Sequence, residues 1–402
     1  MWIERQISES LSRAAATFPV VVLVGPRQVG KTSLLERAFP DLECVSLDLP
    51  SVAEMAETLP DRFLAEHPPP VLIDEVQYAP GLFRHLKARV EAERGRNGMF
   101  LLTGSQNFVL MERVSDSLAG RAAVLPFLGL SGGEWGASPP LRDRFGWHDF
   151  VWRGGYPGLW ATPDVPPERD RWYQGYVATY LERDVRNLLR VGSLRDFDRF
   201  LRACAFRTAQ ILNLSDLGRD VGISPSTARE WLGVLQASNQ VVLLEPYHRS
   251  LGKRLVKSPK LYFTDTGLAS YLLGFQSPAG LWNGPLEGAM WENHVVGQWI
   301  RWRDWLRPSA SLWFWQDRSG AEVDLVIDLD TRLVAIECRR TERPGPADAK
   351  GIRKMRDFYG REAVAGAYIA CTASSSFQIE EGLEARPGWT AWDQELMSLG
   401  AP

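Results

Sequence analysis

The 402-residue chain has few cysteines, few lysines and no long apolar run. Its four cysteines are dispersed, and none stands at the spacing of a zinc site or a redox pair, so we expect buried or incidental thiols. No run approaches the roughly 18 apolar residues that a membrane span needs. The start of the chain lacks the basic region, apolar stretch and cleavage site of a secretory signal. These absences predict a cytoplasmic location and no membrane partner.

Lysine is scarce, because only seven of the 46 basic residues are lysine and the rest are arginine. Each lysine therefore marks a position of interest. The formal net charge is -3, so a nucleic-acid partner would have to bind a local basic patch and not the surface as a whole.

The length of the chain exceeds what one hydrophobic core usually supports and predicts two or three domains. The first region alternates helical patterns with the apolar runs VVVLVG at 20–25, PPVLIDE at 69–75 and MFLLTGS at 99–105. Each run ends in polar residues, as parallel strands buried on both faces do. This predicts an α/β nucleotide-binding fold. From about residue 152 the pattern is mainly helical, and after a loop at 277–285 a third region mixes helices and strands.

The segment GPRQVGKTS at 25–33 joins the first apolar strand to a helical pattern. It has the G-x-x-x-x-G-K-[ST] spacing of a phosphate-binding loop, in which backbone N–H groups surround the phosphates, the lysine reaches the outer ones and the hydroxyl ligates Mg²⁺. We therefore predict ATP and Mg²⁺ as cofactors; adenine is preferred because no N-K-x-D motif occurs. The predicted nucleotide-binding residues are Gly25, Pro26, Gln28, Val29, Gly30, Lys31, Thr32 and Ser33.

Two further strands end in residues suited to hydrolysis. VLIDEV at 71–76 places Asp74 to hold Mg²⁺ together with Thr32, and Glu75 to activate the attacking water. LLTGS at 101–105 ends in Thr103 and Ser105, whose hydroxyls could sense the γ-phosphate or orient the water. Simple capping of the strand explains these two hydroxyls equally well.

The chain resembles the bacterial and archaeal AAA-type P-loop ATPases that carry a winged helix and a C-terminal restriction-endonuclease-like domain. The resemblance covers nearly the whole chain. It implies an ATPase core at 1–147, a helical lid at 148–205, a winged helix-turn-helix at 206–275 and a restriction-endonuclease-like domain at 282–402. It rests on the phosphate-binding loop and on LIDEVQ at 72–77, LTGSQ at 102–106, SLAGRA at 117–122, GGYP at 154–157, YLERDV at 180–185, SPKLYFTDTGL at 258–268, WENHVV at 291–296 and EVDLVI at 322–327.

The same resemblance implies further site residues. Arg121 in SLAGRA, with Arg113 in reserve, would reach a γ-phosphate in its own or a neighbouring subunit, although an arginine on a solvated face fits as well. Gly155 and Pro157 in GGYP would close over the adenine, unless they only form a tight turn. If Arg121 acts on a neighbour, the nucleotide lies at a subunit interface, and a closed homo-hexameric ring is the expected assembly.

The middle region predicts contacts with DNA. Residues 213–247 read as helix, turn, a helix capped by Ser224 with Pro225 at its first position, and a strand. The following stretch HRSLGKRLVKSPK contains three of the seven lysines, which is the pattern expected for phosphate contacts. A protein-binding module would have the same element order. The predicted DNA-contacting residues are Arg229, Lys253, Arg254, Lys257 and Lys260.

The third region resembles restriction-endonuclease-like nucleases in its order of carboxylates. Glu292 lies on a helix, Asp324 and Glu337 on successive strands, and the last two are the candidate ligands of a second metal site. Arg339 stands where such nucleases have lysine, and arginine cannot act as a base. Because lysine is retained at position 31, we expect a degraded nuclease centre, with a metal-binding or DNA-end-binding surface remaining. Carboxylates paired with arginines for stability are the alternative.

Three functions are consistent with these patterns. The first is an oligomeric AAA-type ATPase motor that translocates or remodels duplex or branched DNA. The second is a signalling-type ATPase switch that controls a protein partner, and the third is an ATP-gated nuclease.

Overall fold

The computed structural model describes residues 2–105, 117–161, 168–180, 194–247, 258–330 and 332–392. The chain divides into two compact units. The first contains residues 1–129, 156–158 and 237–240, and the second contains 130–155, 159–236 and 241–402. Among the described residues, no helix has the length and hydropathy of a membrane-spanning segment.

The first unit is built around a five-stranded parallel sheet with the order β2-β3-β4-β1-β5. Its strands are β1 Val20–Val24, β2 Glu43–Ser46, β3 Val71–Asp74, β4 Phe100–Gly104 and β5 Ala122–Pro126. Its helices are Ser8–Thr17, Lys31–Ala38, Pro50–Thr58, Pro60–Glu66 and Leu82–Ala92, with a 3₁₀ turn at Val76–Tyr78. The α/β nucleotide-binding fold predicted from the apolar runs is confirmed in this unit.

The central strands of this sheet are buried along their whole length. Every residue of β1, β3 and β4 is buried, because helices from the connections pack on both faces, as parallel sheets require. Since all five strands run in one direction, the loops that follow them gather at one edge of the sheet. The phosphate-binding loop and the polar ends of β3 and β4 therefore share that edge.

The second unit contains two more sheets. A three-stranded antiparallel sheet has the order β6-β8-β7, with β6 Gln210–Ile211, β7 Val241–Leu244 and β8 Lys260–Phe263. A six-stranded mixed sheet has the order β13-β14-β12-β11-β10-β9. Its strands are β9 Ser311–Gln316, β10 Glu322–Asp328, β11 Leu333–Cys338, β12 Val364–Cys371, β13 Phe377–Glu380 and β14 Leu383–Pro387.

Helices surround these sheets, and the 20-residue helix Glu287–Leu306 has 13 buried residues. It contacts β8, β9 and β11, so one helix packs on both sheets. The other described helices beyond residue 130 are Gly132–Gly136, Pro139–Arg142, Trp147–Arg153, Gly158–Ala161, Glu168–Tyr180, Leu194–Phe206, Leu214–Val221, Pro225–Ala237, Thr266–Leu272, Pro278–Trp282 and Lys350–Tyr359, with a 3₁₀ turn at Pro346–Ala349.

Tryptophan packing explains why residues 130–155 belong to the second unit, although the sequence placed them mostly in the ATPase core. Trp147 stacks on Trp389 with ring centroids 5.6 Å apart. The Gly132 N–H donates to Gln298 Oε1 at 2.7 Å. A Cβ on Gly132 would lie 2.1 Å from the Trp389 carbonyl oxygen, so only glycine permits this approach.

Candidate nucleotide site and a second carboxylate cluster

The phosphate-binding loop joins β1 to the helix Lys31–Ala38. Gly30 precedes the helix in the left-handed region (φ 90°), and no side chain caps the helix N-terminus. A Cβ on Gly25 would lie 1.9 Å from the Phe127 carbonyl oxygen, so the loop packs against the end of β5 only because residue 25 is glycine. The result is an uncapped helix end with the partial positive charge that attracts phosphate.

The predicted magnesium ligands lie together at this loop. Thr32 Oγ1 donates to Asp74 Oδ1 at 2.6 Å, and Thr103 Oγ1 donates to the same oxygen at 2.5 Å. The Ser46 hydroxyl lies 3.3 Å from Asp74 Oδ2. Lys31 is buried, and its Nζ donates to the carbonyl oxygens of Gly25 and Pro26 at 3.0 and 2.9 Å. Hydroxyl and carboxylate oxygens are the ligands that Mg²⁺ prefers, so these residues fit the predicted Mg²⁺–ATP.

Glu75 is held beside this cluster by three polar neighbours. Its backbone is in the left-handed region (φ 55°, ψ 44°), and its N–H donates to Thr103 Oγ1 at 3.1 Å. Its Oε2 accepts hydrogen bonds from Ser105 Oγ, at 3.1 Å, and from Gln77. Thr103 and Ser105 therefore contact the two carboxylates directly, which is more than capping of a strand. Gln77, the last residue of LIDEVQ, was not among the predicted site residues.

Arg121 lies where the strands of this sheet begin, at the end opposite the phosphate-binding loop. It immediately precedes β5, and its carbonyl oxygen accepts from the N–H of Val20, the first residue of β1. Its guanidinium pairs with Glu91 at 2.7 Å and is 37% exposed. Since the phosphate-binding loop follows the far end of β1, Arg121 does not reach the nucleotide site of its own chain. Action on a neighbouring subunit stays a prediction, and Arg113 lies outside the described residues.

The GGYP turn at 154–157 is hydrogen-bonded to Asp265. The Gly155 N–H donates to Asp265 Oδ2 at 2.7 Å, and Tyr173 donates to Asp265 Oδ1 at 2.8 Å. Asp265 also caps the helix Thr266–Leu272 by accepting from the Leu268 N–H. These contacts give the turn a structural role. The assignment of Gly155 and Pro157 to the adenine pocket stays a prediction.

The predicted DNA-contacting residues have different surroundings. Arg229 is exposed on the helix Pro225–Ala237. Lys253, Arg254 and Lys257 lie outside the described residues. The prediction for Lys260 needs correction: this lysine begins β8, is only 2% exposed and lies among carboxylates. A phosphate backbone cannot reach an ammonium group that is buried in this way.

Lys260 lies in a cluster of carboxylates from three elements. Its Nζ is 2.7 Å from Glu292 Oε1 and 3.5 Å from Asp324 Oδ1, and it also contacts Glu322. Oxygen atoms of Glu292, Glu322 and Asp324 lie within 4.8 Å of one another, a spacing that a metal ion could bridge. Asp324 Oδ2 accepts from the Cys338 N–H at 2.8 Å.

Glu337 and Arg339 complete the cluster. Arg339 Nη2 lies 2.7 Å from Glu337 Oε1, which is the pairing that the sequence allowed as an alternative to a metal site. Glu337 is only 4% exposed, and its other oxygen, Oε2, has no hydrogen-bond partner among the described residues. A buried carboxylate oxygen without a partner is costly, so pairing with Arg339 does not fully account for Glu337.

Burial and mutual repulsion shape the electrostatics of the cluster. Burial and the nearby Asp324 raise the pKa of Glu292 to about 7, and the same two causes raise the pKa of Glu337 well above its usual value. Burial alone would lower the pKa of Lys260, but Glu292, with the other carboxylates, raises it well above its usual value. Lys260 therefore stays protonated at neutral pH.

Sequence reasoning missed Glu322 and the place of Lys260. Glu322 stands two residues before Asp324 on β10, and residues at that spacing point to the same face of a strand, so this signal was available. No sequence signal places Lys260 beside these carboxylates, because that position depends on a contact between the three-stranded sheet and the six-stranded sheet. The segment after β7 runs beside β9, where the Tyr247 N–H donates to the Phe314 carbonyl at 2.7 Å.

Comparisons with known proteins agree with the nucleotide site. The sequence model of a family described as "AAA domain" matches residues 17–135. Two families described as domains of unknown function, DUF8612 and DUF4143, match residues 144–279 and 287–389. The first unit is thus an AAA-type P-loop ATPase domain. Domains of this class in general bind and hydrolyse nucleotides.

Two curated relatives identify the family. The uncharacterized proteins Rv2008c of Mycobacterium tuberculosis and Mb2031c of Mycobacterium bovis are each 33% identical to this chain over 351 residues, covering 86% of the chain and 76% of each relative. The chain belongs to the family of these two mycobacterial proteins.

Three solved structures show more distant likeness. The Walker-type ATPase PABY2304 of Pyrococcus abyssi is 17% identical, with a TM-score of 0.46 and coverage of 68% of this chain and 96% of that one. The RuvB Holliday junction branch migration motor of Thermotoga maritima is 17% identical, with a TM-score of 0.30 and coverage of 60% and 89%. AMPPCP-bound DnaA from Aquifex aeolicus is 15% identical, with a TM-score of 0.26 and coverage of 57% and 85%.

Proposed function

We propose that this protein is a cytoplasmic, Mg²⁺-dependent ATPase that works as an oligomeric motor on duplex or branched DNA. One observation carries the ATPase part: Thr32, Asp74 and Glu75 meet at the phosphate-binding loop, with Thr103 and Ser105 bonded to the two carboxylates. The three strands that supply these groups, β1, β3 and β4, are neighbours, and their C-terminal ends lie at one edge of the parallel sheet.

Each residue of the site has a role in the proposal. When bound, ATP supplies the γ-phosphoryl group and Mg²⁺ offsets its charge. Lys31 binds the outer phosphates, and Thr32 and Asp74 hold the cation. Glu75 accepts the proton of the attacking water, with Ser105 and Gln77 fixing the direction of its carboxylate. Arg121 of a neighbouring subunit stabilises the charge of the transition state, within a homo-hexameric ring.

The DNA part of the proposal is supported by the arrangement of residues 194–263. Helix Leu194–Phe206, β6, helices Leu214–Val221 and Pro225–Ala237, then β7 and β8 follow one another in the order of a winged helix. The exposed Arg229 lies on the second helix of the helix-turn-helix, the element that enters the major groove in such modules. Residues 148–205 would act as the lid that transmits hydrolysis to this module, with the helix Leu194–Phe206 joining the two.

The test is steady-state ATP hydrolysis with and without single-stranded, duplex and four-way-junction DNA. We expect Lys31→Ala to abolish turnover and one DNA form to stimulate the wild type several-fold. Arg229→Glu should remove the stimulation and leave the basal rate unchanged. Turnover that is slow and indifferent to every DNA would overturn the motor and favour the switch that controls a protein partner.

The C-terminal carboxylates support a second candidate function, an ATP-gated nuclease or a surface that binds metal or DNA ends. Asp324 and Glu337 are buried on adjacent strands beside Glu322 and Glu292, as in restriction-endonuclease-like folds. A working nuclease would show Mn²⁺-dependent nicking of supercoiled plasmid that Asp324→Asn abolishes, whereas the degraded centre expected from Arg339 would show none. Absence of nicking in the wild type, with and without ATP, would exclude the nuclease and leave the binding surface.

A further inference from the structure

Arg5 is a buried arginine of the first unit to which the proposed mechanism gives no role. It stands three residues before the helix Ser8–Thr17 and is only 6% exposed. The N–H and the hydroxyl of Ser8 both donate to the Arg5 carbonyl oxygen, at 3.2 and 2.8 Å, so the backbone of Arg5 is fixed at the start of this helix. A guanidinium group that is removed from water needs good acceptors in the protein.

Its acceptors are backbone carbonyl groups from two distant parts of the chain. Arg5 Nη1 donates to the Val29 carbonyl oxygen at 3.0 Å, and Nη2 donates to the Leu128 carbonyl oxygen at 2.8 Å. The Arg5 Cζ also lies 4.0 Å from the centroid of the Phe127 ring. Val29 belongs to the phosphate-binding loop, and Phe127 and Leu128 follow β5. The forked guanidinium group thus joins the loop to the segment that already lies against Gly25.

The loop is strained at the point where Arg5 holds it. Gln28 (φ 63°) and Gly30 (φ 90°), on either side of Val29, both have left-handed backbone conformations. Such conformations let successive N–H groups converge on an anion. For Gln28, which has a Cβ, the conformation is unfavourable unless the surrounding structure maintains it. The hydrogen bond to the Val29 carbonyl group is made in the middle of this stretch.

This hydrogen bond also determines where the next N–H group points. The Val29–Gly30 peptide group is planar and trans, so its C=O and N–H point in opposite directions. Because the Val29 carbonyl group points toward Arg5, the Gly30 N–H points away from Arg5. In loops of this kind the N–H groups beside the conserved lysine contact the phosphates of the nucleotide.

We propose that Arg5 is a positioning residue for nucleotide binding: by holding the Val29 and Leu128 carbonyl groups, it directs the Gly30 N–H at the phosphates of ATP. The inference rests on the proposed ATPase function and adds to its site a residue outside the phosphate-binding motif. Arg5 acts through the loop, whose N–H groups hold the phosphates alike in the ground state and the transition state. Loss of Arg5 therefore weakens binding more than it slows catalysis.

Arg5→Met keeps an apolar side chain of similar length and removes both hydrogen bonds. We expect the Kd for ADP and the KM for ATP to rise roughly tenfold or more, and kcat to change by less than about threefold. Arg5→Lys can donate to one carbonyl group but lacks the fork for two, so its Kd should lie between those of the wild type and Arg5→Met. A purely structural role would lower the fraction of molecules that bind ADP and leave the Kd of the folded fraction unchanged.

The experiment is titration of the full chain with fluorescent ADP and Mg²⁺, together with steady-state ATP turnover. The titration gives the stoichiometry and the Kd, and turnover gives KM and kcat. Arg13→Met is the matched control, because Arg13 is exposed on the helix Ser8–Thr17 and should leave all four quantities unchanged. Circular dichroism shows which variants are folded.

Wild-type Kd and KM in a folded Arg5→Met variant would overturn the inference; if that variant is unfolded, wild-type values in Arg5→Lys would do the same. A lower stoichiometry with an unchanged Kd would also overturn it, since Arg5 would then only stabilise the fold. These outcomes leave the ATPase proposal standing, provided that the wild type binds ADP and hydrolyses ATP. A wild-type protein that does neither overturns the proposed function and this inference together.

Discussion

Glu75 has a backbone conformation that residues other than glycine seldom adopt, and this directs its carboxylate toward Ser105 and Gln77. The cost of such a conformation is of order 1–3 kcal/mol. It is offset here by the bond from the Glu75 N–H to Thr103. A carboxylate fixed at the end of a strand, beside a magnesium ligand, is suited to accept a proton from water.

Glu75→Gln should therefore separate binding from hydrolysis. The amide keeps the shape of the side chain but cannot accept the proton, so we expect ATP binding to persist and turnover to fall roughly hundredfold or more. Fluorescent-nucleotide titration and steady-state turnover measure the two effects. Glu66→Gln, which alters an exposed ion pair with Arg62, is the control. Turnover within a few-fold of the wild type would remove Glu75 from the proposed mechanism.

Gly25→Ala tests the packing of the phosphate-binding loop. The new Cβ would lie 1.9 Å from a backbone oxygen of Phe127, so the loop must move, and we expect a loss of about 1–3 kcal/mol in the free energy of unfolding together with weaker ATP binding. Gly175→Ala is the matched control, because nothing lies within 4 Å of its Cβ on the helix Glu168–Tyr180. Urea unfolding checks both; equal midpoints would contradict the packing argument.

His294 predicts a pH dependence of stability. Its Nε2 lies 3.1 Å from the Trp389 carbonyl oxygen, and burial, with Arg301 nearby, lowers its pKa from 6.5 to about 3. The unfolded chain takes up this proton near pH 6.5, whereas the folded chain resists it until about pH 3. The stability that His294 contributes is thus complete above pH 6.5 and lost as the pH falls toward 3.

In this window His294 should contribute a slope of up to about 1.4 kcal/mol per pH unit to the free energy of unfolding. His294→Gln keeps a donor for the carbonyl oxygen and cannot be protonated. We expect urea unfolding of this variant to depend less steeply on pH between about 6.5 and 4.5. A slope identical to that of the wild type would show that other groups govern acid unfolding.

At the scale of elements, Asp265 joins three pieces of the second unit. It caps the helix Thr266–Leu272 and accepts bonds from the GGYP turn and from Tyr173 on the helix Glu168–Tyr180. A Cβ on Gly154 would lie 2.4 Å from the same carboxylate, so the turn can close on Asp265 only with glycine there. The helices are connected here by buried polar bonds and not by apolar packing alone.

Asp265→Ala should consequently cost more than the loss of an ordinary helix cap. It leaves the Gly155 N–H without its acceptor, removes an acceptor from the buried Tyr173 hydroxyl, and deletes the cap, so we expect a loss of about 2–4 kcal/mol in the free energy of unfolding. Ser277→Ala is the comparison, since Ser277 caps only the helix Pro278–Trp282 and should cost about 1 kcal/mol or less. Similar losses in the two variants would contradict a linking role for Asp265.

At the scale of the whole molecule, Arg121 raises the question of assembly. It lies at the N-terminal ends of the parallel strands, opposite the phosphate-binding loop, and its side chain is partly exposed. If Arg121 stabilises the transition state, it must do so in a neighbouring subunit. A ring with nucleotide at each interface would give every site one such arginine.

Mixing two inactive variants tests this assembly. Arg121→Ala and Glu75→Gln should each hydrolyse ATP roughly hundredfold more slowly than the wild type. In a mixture, some interfaces combine an intact nucleotide site with an intact Arg121, so turnover should recover to a sizeable fraction of the wild-type rate. Mixing Arg121→Ala with Lys31→Ala at varied ratios is a second check. No recovery, despite mixed oligomers by analytical ultracentrifugation, would exclude action between subunits.

The local sequence determined where the candidate nucleotide site lies. Gly25, Lys31 and Thr32 are close together in the chain, and a strand that ends in Asp74 and Glu75 must place them at the edge of a parallel sheet. The loop motif and an apolar run that ends in polar residues suffice for this prediction, since both are patterns of neighbouring residues. The position of Arg121 away from that edge, in contrast, came only from the fold, which places this residue directly before the parallel strand β5.

Only the tertiary structure decided the surroundings of Lys260. By sequence it ended a basic stretch and resembled a phosphate contact. In the fold, the pairing of β8 and β7 and the passage of the chain beside β9 bury it against carboxylates that follow it by 32 to 64 residues. The side chains that surround a residue depend on contacts between segments distant in the chain, and composition and spacing do not encode those contacts.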